Sequence, residues 1–115
     1  MKNFVHINAT TIDDAVFQLR KYSGRAVVIA GGTDILGKMK DRILPDYPEA
    51  VLNIKNIEGL NSVAEDAQVI RIGSLTKLSD LANNPLVNQH LPALSEAARR
   101  TASPNLREMG TLGGN

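Results

Sequence analysis

The chain has 115 residues, of which 43% are apolar and 22% charged, with a formal net charge of +1; this is enough for one compact domain and short for two. So balanced a charge gives no reason to expect nucleic acid or an anionic membrane as partner, and two Tyr, two Phe and no Trp make no stacking platform for single strands. With no cysteine, the chain holds no disulfide, thiolate metal site, cysteine nucleophile or cysteine-ligated iron–sulfur cluster.

In chain order, "FVHI" (4–7) reads as a short strand. "TIDDAVFQLRKY" opens with Thr11 three residues before Asp14, a capping-box-like start. Ile12, Ala15, Val16 and Leu19 follow at helical spacing, facing inward, and Ser23-Gly24 stops the helix. "RAVVIA" (25–30) is expected as a buried strand, because its apolar residues run together and three are β-branched. After Gly31-Gly32, Thr33 or Asp34 is placed to cap a helix to about Lys40, with Ile35, Leu36 and Met39 on one face.

Pro45 and Pro48 mark a loop. "AVLNIKNI" (50–57) is a strand, "GLNSVAEDA" (59–67) an irregular connection with a turn, and "QVIRIGSL" (68–75) a further strand. "TKLSDLANN" is a short helix ended by Asn83-Asn84-Pro85. "PALSEAARRTA" is another, started by Pro92 at a position that helices favour, with Ala93, Leu94, Ala97 and Ala98 inward. "SPNLREMGTLGGN" is expected to be mostly irregular. Alternating helices and strands indicate an α/β or α+β domain, and short strand-to-strand connections between Ala50 and Leu75 favour a mixed sheet.

No segment approaches the roughly 20 apolar residues of a membrane span. The opening "MKNFVHINATT" lacks the apolar core of a signal peptide, so a cytoplasmic protein is expected. "NAT" (8–10) fits a glycosylation acceptor only by its letters. His6, on a strand, and His90, in a loop, have no plausible metal-ligand neighbours in sequence.

Two glycine pairs carry the most information: "AGGTD" (30–34) after a strand, and "TLGGN" (111–115). Missing Cβ atoms let phosphate oxygens approach main-chain N–H groups, and a following helix adds partial positive charge. The alternative is two tight turns that need positive φ. Gly32, four residues, then Gly37-Lys38 also matches seven positions of a P-loop, but the eighth, a Ser or Thr for magnesium, is Met39. The dinucleotide spacing G-x-G-x-x-G is absent. Two donor-rich loops suit a ligand with two linked phosphates.

These motifs, with "VVIAGGTDILGKMKDR", "VLNIKNIEGL", "IRIGSLTKLSDL" and "LPALSEAARRTASPNLREMGTLGGN", make the sequence resemble the FAD-binding (medium) subunit of the molybdenum hydroxylases. That family includes xanthine dehydrogenase, carbon monoxide dehydrogenase and nicotinate dehydrogenase types. The likeness runs through nearly the whole chain but covers only the N-terminal part of such a subunit. It implies an α/β fold: the first lobe (about 1–60) and the start of the second (about 61–115) of a two-lobed FAD domain of the vanillyl-alcohol-oxidase-like type. The family's domain continues past the second glycine motif, so a truncated piece, inactive by itself, is implied.

The resemblance implies non-covalent FAD as the cofactor. Val28, Ile29, Ala30, Gly31, Gly32, Thr33, Asp34 and Ile35 match the segment around the pyrophosphate and ribose. Thr111, Leu112, Gly113, Gly114 and Asn115 match further phosphate and flavin contacts, and Ala102 a position approaching the isoalloxazine. By position, the glycines would give close approach and the hydroxyls of Thr33 and Thr111 would donate to phosphate. Asp34 would cap a helix or take a ribose hydroxyl, and Asn115 would bridge phosphate and flavin. Lys38, Lys40 and Arg107 are expected as solvated surface charges. No side chain is expected as a catalytic acid or base, and none as a metal ligand.

The implied partners are a large molybdopterin subunit and a small subunit with two [2Fe–2S] clusters, from which electrons reach FAD and then a terminal acceptor. The lack of cysteine agrees with clusters held elsewhere. The alternative from another class is a non-catalytic interaction domain whose glycines are turns only; a P-loop-like nucleotide binder comes third.

Overall fold

The structure is a computed structural model that describes residues 1–115. It divides into two compact units, Met1–Glu58 and Gly59–Asn115.

In the first unit, β1 (Val5–Asn8), α1 (Ile12–Tyr22), β2 (Ala26–Ile29), α2 (Ile35–Lys40) and β3 (Ala50–Asn53) alternate. Parallel strands need crossover connections, and α1 and α2 supply them. The strands form one parallel sheet in the order β1-β3-β2, with Asn8 and Ile29 both in register with Asn53. Thr11 Oγ1 accepts from the Asp14 N–H at 3.0 Å, capping α1. Ser23 in the left-handed region (φ 49) and Gly24 (φ +85) end it.

The central strand is β3, whose four residues are all buried. The expectation of a buried strand fails for β2. It lies at an edge of the sheet, with Ala26 and Val27 half-buried and Val28 39% exposed. Its Ile29 packs with Met39 and Val51, and with the half-buried Ile35, into one core cluster. Leu36 departs from the expected face of α2 and is exposed, as are Ile12 and Val16 of α1, where only Ala15 is buried and Leu19 half-buried. An apolar arc sets the possible inward face of a helix; the width of the sheet beneath decides how much of it is covered.

The second unit pairs β4 (Val63–Asp66) with β5 (Val69–Ile72) antiparallel, followed by α3 (Leu78–Asn83), α4 (Pro85–His90), α5 (Pro92–Arg100), α6 (Pro104–Arg107) and a 3₁₀ turn at Leu112–Gly114. The α/β class therefore holds, but parallel and antiparallel pairing occur in separate sheets rather than in one mixed sheet.

Three elements here depart from expectation. Residues 63–66 form a strand because β5 offers them a ladder, although "VAED" has little β-propensity of its own. Residues 85–90 form a helix that includes His90, because Asn84 ends α3 and caps α4 at once. Its Oδ1 accepts from the N–H groups of Leu86 (2.9 Å) and Val87 (3.3 Å). Residues 104–107 form one helical turn, capped by Ser103 and started by Pro104. On α5 the inward residues are Leu94, Ser95 and Ala98, while Ala93 and Ala97 are exposed. Alanines say little about direction, and a buried serine is invisible to an apolar pattern. The core joins Leu78, Leu81, Ala82, Val87 and Ala98, with Val63, Ile72, Leu94 and Leu112 packed against it.

Candidate functional site

In open α/β sheets ligands bind beyond the carboxyl ends of the strands. In the first unit the register brings those ends level, so Ala9, Ala30 and Ile54 leave the sheet along one edge. The edge is tied across: Ala9 N–H donates to Asn53 O (3.0 Å) and Ile54 N–H to Ile29 O (3.2 Å). The buried Asn53 donates its amide to Asn8 Oδ1 (2.7 Å) and accepts from the Lys55 N–H (3.1 Å).

From this edge the Ala30–Asp34 loop departs. The N–H groups of Gly31, Gly32, Thr33 and Asp34 find no acceptor within the chain, whereas the Gly32 carbonyl accepts from Leu36 N–H (3.2 Å). Gly32 has φ +76, a conformation that L side chains rarely adopt. A Cβ there would also come within 3.0–3.1 Å of Leu36 and Ile29 methyls. Four successive unengaged donors in a bare loop at a strand end are the chemistry that a phosphate ester needs.

Two charges flank the loop. Asp34 does not cap α2, contrary to one expected role: its side chain makes no cap bond and instead pairs with Lys38 at 2.6 Å, one helical turn on. That pairing offsets the one carboxylate that would repel a phosphate. Lys55 Nζ donates to the Ala30 carbonyl at 3.0 Å. Thr33 is exposed, Val28 is 39% exposed, and the side chains of Ile29 and Ile35 face the core. Gly37 lies inside α2 and Met39 is fully buried, so the P-loop-like spacing has neither an open loop nor a metal-binding hydroxyl.

The second glycine pair is built differently. Its N–H groups are all engaged: Leu112 on Thr76 O (2.9 Å), Gly113 on Ser74 O (2.8 Å), Gly114 on Thr111 O (3.3 Å) and Asn115 on Leu112 O (3.3 Å). Thr111 is buried at 8% exposure and bridges to Lys77, while Leu112 packs on the core. A Cβ on Gly113 would meet the Ser74 Cβ at 2.8 Å and its carbonyl at 3.0 Å; glycine is required there by close packing on Ser74. Gly114 and Asn115 are exposed.

Ala102 is exposed and has φ 53, a strained conformation for a residue with a Cβ. Arg107 braces it. Contrary to the expectation of a solvated charge, this half-buried guanidinium donates through one nitrogen to Thr101 O (2.9 Å) and Ala102 O (2.8 Å). A cleft of about 210 Å³ lined by Ser79, Ala82, Asn83, Arg99, Pro104, Arg107 and Glu108 lies in the same unit. Both its arginines are committed to chain carbonyls: Arg99 to Ala82 O at 2.8 Å, and Arg107 as above.

Lys55, Asn53 and Asn8 escaped sequence reasoning, although a signal existed. "VHIN" and "AVLN" both end an apolar strand on asparagine, and the two asparagines become neighbours once those strands pair in parallel.

Residues 2–115 match the family described as the FAD binding domain in molybdopterin dehydrogenase, and the chain belongs to that family. It is 34% identical over 116 residues to the nicotinate dehydrogenase FAD-subunit of Eubacterium barkeri, an alignment covering 100% of this chain and 38% of that protein. It is 36% identical over 104 residues to the carbon monoxide dehydrogenase medium chain of Hydrogenophaga pseudoflava, covering 90% of this chain and 36% of the other. A solved carbon monoxide dehydrogenase from Hydrogenophaga pseudoflava superposes with a TM-score of 0.93 at 34% identity, over 98% of this chain and 39% of that one. The chain thus spans well under half the length of these relatives. No helix is long and apolar enough to cross a membrane.

Proposed function

We propose that the chain is the FAD-binding part of the flavoprotein subunit of a molybdenum-dependent hydroxylase or dehydrogenase. In such a complex electrons pass from [2Fe–2S] clusters on a small partner subunit, through FAD bound here, to a terminal acceptor. The molybdopterin belongs to a large partner subunit. The observation that carries this reading is the run of four unengaged N–H groups, Gly31 to Asp34, at the carboxyl edge of the parallel sheet in a chain of the FAD-binding family. The donor set fits a diphosphate: bare backbone at Gly31-Gly32, a hydroxyl at Thr33, and a carboxylate already paired with Lys38.

Bound flavin supplies the redox chemistry, and the protein supplies binding and orientation. The loop of residues 30–34 holds the diphosphate through backbone donors, and the neighbouring Val28, Ile29 and Ile35 shape the strand and helix on either side. On the second unit, the Ala102 turn and Thr111–Asn115 are the candidate contribution to cofactor binding. Because the N–H groups of residues 112–115 already have acceptors, that contribution falls to the Thr111 hydroxyl, the Asn115 amide and the backbone of Ala102.

Fluorescence titration of FAD into the apoprotein of the complete subunit tests this. The parent should bind saturably, and Gly32→Val should weaken binding at least tenfold, which corresponds to about 1.4 kcal/mol, with an unchanged circular dichroism spectrum. Absence of FAD binding by the parent would favour an interaction domain whose glycines serve turns only. Equal affinity in Gly32→Val would remove the loop from the site.

A further inference from the structure

We infer that Lys55 is a phosphate-binding cation of this site, supplying the positive charge that the glycine loop lacks. The inference rests on the FAD-binding reading above and goes beyond it by assigning a residue that lies outside both glycine motifs.

Three observations converge on Lys55. Its ammonium sits 3.0 Å from the Ala30 carbonyl, at the residue where the chain enters the Gly31–Asp34 loop. An ammonium has three donors; one is held by Ala30, and two remain for oxygens brought against the loop. Next, Lys55 takes part in none of the chain's ion pairs, whereas Lys38, the other cation beside the loop, is occupied by Asp34 at 2.6 Å. The uncompensated positive charge at the loop is therefore that of Lys55. Finally, its backbone is fixed from below. Asn53, 8% exposed, accepts the Lys55 N–H at 3.1 Å while donating to Asn8 at 2.7 Å. The side chain thus starts from an anchored point at the sheet's carboxyl edge.

The chemistry selects a dianion. A diphosphate diester carries two negative charges; four backbone N–H groups supply directional donors but only partial positive charge. A full cation on a side chain already aimed at the loop completes the match. Since Lys55 is exposed, solvent and salt screen its contribution, and that screening provides the diagnostic.

The test is FAD titration of the apoproteins of the complete subunit, as the parent, Lys55→Met and Lys55→Arg, at low and at about 1 M sodium chloride, where the Debye length falls to about 3 Å. At low salt Lys55→Met should bind FAD about tenfold more weakly than the parent, and Lys55→Arg within about threefold of it. At 1 M salt the three should converge, because the term removed is a screened charge. Equal affinities of parent and Lys55→Met at low salt would overturn the assignment while leaving FAD binding by the loop intact. A deficit in Lys55→Met that persists unchanged at high salt would also overturn it, since it would report loss of the Ala30 brace rather than of a charge. Failure of the parent itself to bind FAD would instead refute the underlying reading.

Discussion

Gly73 sits between two backbones, and replacing it by alanine should damage the second unit more than any surface substitution. A Cβ at this position would lie 2.1 Å from the Leu60 carbonyl oxygen, 2.4 Å from its carbon and 2.9 Å from the Asn61 nitrogen. Real Cβ atoms do not approach closer than 3.0 Å, so the two segments must part by about 1 Å. Both are held together by Gly73 N–H on Ser62 O (2.8 Å) and Leu75 N–H on Leu60 O (2.7 Å). Overpacking costs about 1–3 kcal/mol, and each strained backbone bond is worth about 1 kcal/mol net. Together these predict a loss of about 3–5 kcal/mol, a large share of the 5–15 kcal/mol typical of a domain. Gly37→Ala is the control of opposite sign. Gly37 lies within α2 with nothing inside 4 Å of an added Cβ, so alanine should stabilise by about 0.5–1 kcal/mol. Urea unfolding reads both. Tyr22 and Tyr47 lie in the first unit and suit Gly37→Ala by fluorescence. Gly73→Ala needs far-ultraviolet circular dichroism, which sees the helices of the second unit. A Gly73→Ala protein within 1 kcal/mol of the parent would refute the claimed close approach.

Two further outcomes follow from local geometry. Ala67, in the two-residue loop joining β4 to β5, has φ 51, so Ala67→Gly should raise stability by about 0.5–1 kcal/mol in the same unfolding assay, relief of left-handed strain exceeding glycine's entropy cost. Thr76 is 1% exposed and its hydroxyl has no partner; Thr76→Val should therefore stabilise by about 1 kcal/mol, and a loss of the same size would show that the hydroxyl is bonded.

Local signals were legible where one residue carries the physics. Thr11 caps α1 and Ser23-Gly24 ends it, as their letters indicate. The failures all involve facts that only pairing supplies. "VVI" has the composition of a buried strand, yet the order β1-β3-β2 puts β2 at the edge and buries "AVLN" instead. "VAED" becomes a strand through its partner, and Asn84 serves two helices because each needs only six residues. In the candidate site, the glycine loops stood out in the sequence. Lys55 did not, because its place beside Ala30 depends on β3 pairing with β2 in register.

The two glycine pairs are alike in letters and unlike in physics, and the difference lies in where their hydrogen bonds go. At Gly31-Gly32 the backbone turns away from the sheet edge before α2 begins, so its donors have nothing in the chain to meet. At Gly113-Gly114 the backbone is folded onto Ser74 and Thr76, and each N–H has an acceptor. In the first pair, Gly32 is bare because φ +76 and the Leu36 and Ile29 methyls leave no room for a Cβ, and the loop's donors stay open to the outside. Gly113 is bare because Ser74 lies 2.8 Å from where its Cβ would stand. A substitution at Gly113 should act by lifting the Leu112–Gly114 turn off Ser74, and only secondarily on the Thr111 hydroxyl and Asn115 amide that the turn carries. The first loop leaves its hydrogen-bonding capacity in backbone donors and the second leaves it in side chains, and each needs different residues: glycine with positive φ in the first case, a rigid packed turn in the second.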